Sequence, residues 1–158
     1  MSFEITINDN ADGILAEFQA NLAGALEAVG LEMEGDVVAN APVGSPASTG
    51  IKQYHGGALK ESITHKVVGD TVYVGTNLKA GPSAPFPGGT PYPVCVELGT
   101  GIFAEGGRGR QNPWTWRDKN GKFHYTHGIK PTHFMRNALQ RNDHIEKYKR
   151  ILEKYKYF

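Results

Sequence analysis

Seven apolar residues, Ile14, Phe18, Leu22, Leu26, Val29, Met33 and Val37, recur at steps of three and four. That spacing draws one continuous apolar line along an α-helix, because about 3.6 residues complete a turn. It predicts a helix of roughly 27 residues. The helix should end near Asn40, because Pro42 cannot continue it and disfavours helical backbone just before itself. Asn8-Asp9-Asn10 is turn material and offers an N-cap. Gly24, Gly30 and Gly35 each weaken the helix by up to about 1 kcal/mol relative to Ala, so a kink or break near Gly30 is expected. A helix this long needs cover for its stripe, and the rest of the chain must supply it.

That remainder reads as short strands, short helices and long loops. Phe3 to Ile7 alternates apolar and polar as a strand does. Residues 42–57 and 77–91 are rich in Pro, Gly, Ser and Thr without periodicity, in a chain holding 20 Gly and 9 Pro. Loops this long in a compact domain are usually functional or disordered. Leu59 through Val68 reads as a strand and Thr71 to Gly75 as its partner, with Gly69-Asp70 as a two-residue turn between them. Tyr92 to Leu98 is apolar apart from Glu97 and fits either a strand or a short helix. Gly106 to Arg110 is a flexible basic loop. Trp114 to Tyr125 reads as a hairpin, with Asn120-Gly121 as a type I′ turn signal. Thr132 can cap a helix containing Phe134, Ala138 and Leu139. Asp143 to Phe158 is amphipathic, with Ile145, Tyr148, Ile151, Leu152 and Tyr155 on one side.

Charge is divided along the chain. Residues 1–50 carry eight acids and no Lys or Arg, net −8; the remainder is net +9, closing to +1 overall. Such asymmetry points to a partner, either nucleic acid or another copy of the same chain, the simpler alternative being that both halves are solvated faces of one monomer. Hydrophobic residues at 39% and charged residues at 21% over 158 positions suit one globular domain. No apolar run reaches the roughly 18 residues that a membrane span needs, and Met1 to Ile7 carries no secretory leader pattern. Cys95 is the only cysteine, which excludes an internal disulfide and an all-thiolate zinc site. Synthesis in a reducing cytoplasm is the expectation.

Residues that could carry chemistry are few. His55, His65, His124, His127, His133 and His144 do not show the pairing that a helical metal site requires, and hydrogen-bonded histidines are the simpler reading. Cys95 sits among Val94, Val96 and Leu98, which suits core packing better than nucleophilic catalysis. No nucleophile elbow, phosphate-binding loop or dinucleotide fingerprint occurs. No catalytic residue, cofactor or metal is expected, and the chain is read as a non-enzyme. Arg108 and Arg110 in their Gly-rich loop suit phosphate contacts. Trp114, Trp116, Phe123 and Tyr125 could stack bases, although aromatics alternating on a hairpin more often pair across strands.

Several segments in order carry a resemblance. They are the long N-terminal helix, Ala41-Pro42-Val43 with Ser48-Thr49-Gly50, Leu59 with Ser62-Ile63, Val72-Tyr73-Val74-Gly75, Tyr92 with Val96-Glu97-Leu98-Gly99-Thr100, and Pro131 with Phe134, Arg136, Ala138 and Leu139. Together, over about residues 14–140, they resemble the minor tail-component family of long-tailed bacteriophages. That family includes tail-completion or neck proteins similar in role to lambda's tail-completion protein Z. The chain departs from the pattern in extra residues from Ile51 to Gly57, a longer loop at 77–91, Asn137 in place of a Pro, and a basic tail at 143–158.

The resemblance implies an α+β fold. A small, mostly antiparallel sheet would pack against the long helix, with C-terminal helices and long Pro/Gly-rich loops. Residues 1–142 would form that one domain; beyond it, the apolar stripe of 143–158 needs cover, so this basic amphipathic helical extension is expected to dock on another protein. The resemblance implies a structural virion protein at the head–tail junction, assembled with itself as a ring, expected as a hexamer, and joined to neighbouring neck or tail proteins. DNA would pass through with non-specific contact only. Thr49, Gly50, Leu59, Ser62, Ile63, Glu97, Gly99, Thr100, Pro131, Phe134 and Ala138 are the motif positions and are read as packing devices. From the charge division, Glu32, Glu34 and Asp36 are the candidate subunit-interface acids. Arg108 and Arg110 are the candidate DNA-channel contacts. A tail-terminator or head-closure ring is a close variant, and a small nucleic-acid-binding module is the rival from another class.

Overall fold

The computed structural model describes residues 10–44, 57–78, 91–117 and 121–155. The strand expected at Phe3 to Ile7, motif residues Thr49 and Gly50, most of both Pro/Gly-rich loops, and Asn120 lie outside them. The architecture is α+β, with one long helix, two small antiparallel sheets and C-terminal helices.

Helix α1 runs from Ala11 to Asn40 as 30 unbroken residues, so the helix does not break at Gly30. Gly30 has a tertiary role instead: it is buried beneath the ring of His65, which needs the space a side chain would fill. At the C-terminus the Asn40 side-chain amide donates to the Asp36 carbonyl at 2.8 Å. Ala41 then turns extended (φ −66°, ψ 131°) ahead of Pro42. Asn10 sits at the N-cap position but makes no side-chain cap bond.

The segment read as one strand from Leu59 divides. Ala58–Glu61 forms a single helical turn, α2, and strand β1 spans Ile63–Val68. Ser62 makes the join: its hydroxyl donates to the Leu59 carbonyl at 2.7 Å and lies 2.6 Å from the Thr76 hydroxyl. A local side-chain bond of this kind competes with strand pairing, which sequence alternation does not register. Strand β2, Thr71–Thr76, returns antiparallel with Val68 opposite Thr71, leaving Gly69-Asp70 as the turn. One face of the pair (Ile63, His65, Val67, Val72 and Val74) is buried or half-buried, while Thr64, Lys66, Val68 and Tyr73 are exposed.

Tyr92–Leu98 is a helix, α3, with Pro at its start, where a missing N–H costs nothing. Two short 3-10 turns follow at Gly101–Phe103 and Glu105–Gly107. Strands β3 (Trp114–Arg117) and β4 (Phe123–Thr126) make the second sheet. A two-residue Asn120-Gly121 turn would set Arg117 opposite His124; instead Arg117 pairs with Phe123 and Trp116 with His124. Trp116 and His124 stack at 4.5 Å between ring centroids, a cross-strand pair. Phe123 and Tyr125 face outward at 70% and 66% exposure.

Helices α4 (Phe134–Leu139) and α5 (Asn142–Lys154) complete the chain. Val37, Ala41, Leu59, Ile63, Val96, Phe134 and Ala138 form one buried cluster. It joins the end of α1 to α2, β1, α3 and α4. The basic tail helix α5 lies along α1 of its own chain rather than being left for another protein to cover. Tyr148 is buried there, while Ile145, Leu152 and Tyr155 remain 36–40% exposed.

Candidate functional site

Residues carrying the resemblance fall into two places. Leu59, Ile63, Phe134 and Ala138 belong to the core cluster, with Ser62 buried beside them. Glu97, Gly99, Thr100 and Pro131 build a joint that locks α3 and its following turn to the strand-like segment entering α4. The joint is mostly backbone. Thr132 and His133 donate their N–H groups to the carbonyls of Val96 and Glu97 at 3.0 and 3.2 Å. Thr100 donates to the Ile129 carbonyl at 2.9 Å. The Ile129 N–H returns to the Thr100 hydroxyl at 3.0 Å.

Thr132 does not cap α4. Its hydroxyl donates to the Val96 carbonyl at 3.0 Å. The cap comes from Glu97, whose carboxylate accepts the N–H groups of Met135 and Arg136 at 2.9 and 3.1 Å. A carboxylate there satisfies two otherwise orphaned donors and meets the positive end of the helix. His133, the residue before α4, is held in the left-handed region (φ 51°, ψ 35°), which costs a non-glycine residue roughly 1–2 kcal/mol. Asn137, where the family pattern has Pro, donates its N–H to the His133 carbonyl at 2.7 Å, a bond Pro could not make.

Gly99 is one of several positions in and around the joint where only glycine fits. Its φ is +75°, and a Cβ there would lie 2.7 Å from the Phe103 carbonyl oxygen and 2.8 Å from Pro131 Cδ. No side chain fits, so the close approach of the two segments depends on glycine.

Beside the joint opens a cleft of about 460 Å³, lined by Val94, Cys95, Leu98, Ala104 and Trp114 with Arg108 and Arg110 also in its wall. Burial pushes the Cys95 thiol up, away from the reactive thiolate. Arg110 lies over the Trp114 ring at 5.4 Å from its centroid. Both arginines are exposed, and neither forms an ion pair among the described residues. The Trp114 indole Nε1 is buried without a hydrogen-bond acceptor, a state that costs about 1–3 kcal/mol. At the rim, Arg136 forks onto Glu105 with bonds of 3.0 and 2.9 Å and holds its carboxyl below the ordinary range.

The candidate interface acids are all engaged inside the chain. Glu32 pairs with Lys147 at 2.6 Å. Asp36, largely buried, accepts from Lys147 Nζ at 2.9 Å and from the Tyr148 hydroxyl at 2.7 Å, with His144 Nδ1 at 3.3 Å. Burial pushes its carboxyl up, but the bonds to Lys147 and Tyr148 and the charges of Lys147 and His144 outweigh that and hold it low. Glu34 binds His65. The negative half of the chain thus meets the positive half first within one molecule.

That last contact was hidden in the sequence. His65 lies on the inward face of β1. Its Nδ1 lies 2.7 Å from Glu34, its Nε2 lies 3.0 Å from Glu27, and its backbone N–H donates to Glu34 at 2.9 Å. The bond to Glu34 is the main cause of a raised imidazole pKa, partly opposed by burial and aided by Glu27. Two glutamates seven apart on α1, with Gly30 between them, were the available signal. Among the described residues no group of three His, Cys, Asp or Glu could hold a metal ion, and no helix is long and apolar enough to cross a membrane. No family model, curated protein or solved structure matches this chain.

Proposed function

We propose that the chain is a structural virion protein of a tailed phage, a subunit of the ring that completes the tail at its junction with the head. The observation that carries this reading is the convergence of the resembling segments. Leu59, Ser62, Ile63, Phe134 and Ala138 are buried together, and Glu97, Gly99, Thr100 and Pro131 interlock in one joint. The joint's groups are occupied in holding two chain segments together, which is the work of a scaffold. A tail-terminator or head-closure position in the same neck would use the same scaffold.

Electron microscopy and mass measurement on the purified protein test the reading. A closed ring, expected with six copies, that restores infectivity to tails lacking their completion protein supports it. A protein that neither assembles nor joins phage heads or tails counts against it. The rival, a small nucleic-acid-binding module, draws on Phe123 and Tyr125, which are exposed rings with Arg117 5.7 Å from the Phe123 centroid. Such a module would show an affinity for nucleic acid falling steeply with salt. A ring that lets DNA pass would bind it weakly.

A further inference from the structure

The apolar stripe of α1 is covered along only half its length. Leu26, Val29 and Val37 are buried, whereas Ile14, Leu15 and Phe18 are 55–64% exposed and Leu22 36%. Large apolar residues clustered on one exposed face usually mark an interaction surface. Asp12 and Glu17 flank this half, and it holds no Lys or Arg.

We infer that the exposed first turns of α1, carrying Ile14, Leu15 and Phe18, dock into the cleft beside Trp114 on a second copy of this chain. Asp12 and Glu17 then face Arg108 and Arg110. Three observations select this occupant. First, the chemistry matches on both counts: an apolar helix face with two acids meets an apolar cleft with two arginines that have no ion pair among the described residues. Second, the cleft cannot receive the helix of its own chain. The C-terminal end of α1 is fixed in the core with Val96 and Phe134, and Phe18 lies roughly 28 Å from Val37 along a rigid axis at about 1.5 Å per residue. Third, pairing two copies of α1 with each other would set Asp12 and Glu17 against their own kind, which like charges oppose. Charge therefore favours a head-to-tail contact. Such contacts close into rings or run on as filaments.

This deepens the ring reading and rests on it for closure; the contact itself stands or falls on self-association. It also assigns Arg108 and Arg110 to a neighbouring subunit rather than to DNA.

The test is sedimentation and light scattering of the full chain at low and high salt, with two variants. F18E removes the helix side of the contact, and R108E/R110E removes the cleft side. All three changes lie on exposed positions, and near-ultraviolet circular dichroism confirms the fold; Phe18→Ala and Arg108→Gln/Arg110→Gln are the milder pair. The expectation is that wild type assembles, that each variant alone is monomeric, and that an equimolar mixture gives a dimer and nothing larger. The mixture still holds one intact helix side and one intact cleft. A two-fold symmetric contact would leave the mixture no better than either variant, and that result overturns the inference. So does a variant that keeps the wild-type size. In that case the ring survives and this contact does not. A wild-type monomer that still completes tails overturns the contact and leaves the proposed function standing.

Discussion

At the scale of single residues, space decides more than chemistry. A Cβ on Gly30 would come within 3.0 Å of His65 Cγ and Nε2. Glu34 and Glu27 hold that ring from both sides, so it cannot swing away. Gly30→Ala should therefore destabilise by about 1–3 kcal/mol, although in an exposed helix the same change helps by up to about 1 kcal/mol. Urea unfolding checks the sign; stabilisation would mean that the ring moves freely. Gly99→Ala faces left-handed backbone and three close neighbours at once. It should leave little folded protein, seen as loss of the cooperative unfolding transition. By contrast Gly35→Ala, with nothing within 4 Å, should be neutral or stabilising. The sequence marks all three as glycines in or near an element and does not separate them, because what surrounds each is set by the fold: His65 over Gly30, Phe103, Ile129 and Pro131 against Gly99, and nothing near Gly35.

At the scale of elements, the stripe of α1 located its helix and its end near Asn40, since both follow from neighbours in sequence. The β1–β2 turn and the β3–β4 hairpin were legible for the same reason. What sequence left open or misplaced was settled by distant partners. Tyr92–Leu98 became a helix although periodicity could not decide, and the first residues of the Leu59 segment became a turn bonded through Ser62. The cap of α4 was the least legible feature. The nearest candidate, Thr132, turns its hydroxyl to Val96, and the carboxylate that serves arrives from Glu97, far back in the chain. Glu97→Ala should cost about 1 kcal/mol, the usual worth of a cap. Glu97→Gln should recover part of it, because one amide oxygen still accepts. Thermal unfolding distinguishes them; equal loss in both would show that the charge rather than the hydrogen bonds matters. Leu59, Ile63, Phe134 and Ala138 were readable as packing positions, but the closed joint was not, because it is made largely by backbone hydrogen bonds between segments far apart in the chain.

At the scale of the molecule, two ionic contacts bind α1 to its cover, and they respond to pH in opposite directions. Asp36 has a depressed pKa, so its contribution is full above the unfolded carboxyl value near 4 and is lost as pH falls through the lower native value. His65 has a raised pKa, so its contribution is full below the unfolded imidazole value near 6.5 and is lost as pH rises through the higher native value. Melting temperature should thus be greatest in mildly acidic buffer and decline on both sides. Asp36→Asn should flatten the acid limb, and His65→Gln the decline above neutrality. An alkaline limb unchanged in His65→Gln would show that the imidazole contributes nothing. Removing residues 142–158 would strand Asp36 and Glu32 without Lys147. It should lower the melting temperature well beyond the effect of Tyr148→Phe, whereas an unchanged transition would make α5 a mere appendage.

The charge division first suggested contact between molecules, and much of it is consumed inside one. What remains outside is the free half of α1, which makes the helix a cantilever. His65 clamps it near its middle and the core grips its far end. At about 1.5 Å per residue, Phe18 stands roughly 18 Å from Gly30, so a neighbour that grips this arm acts on the helix at a distance from the core residues around Val37.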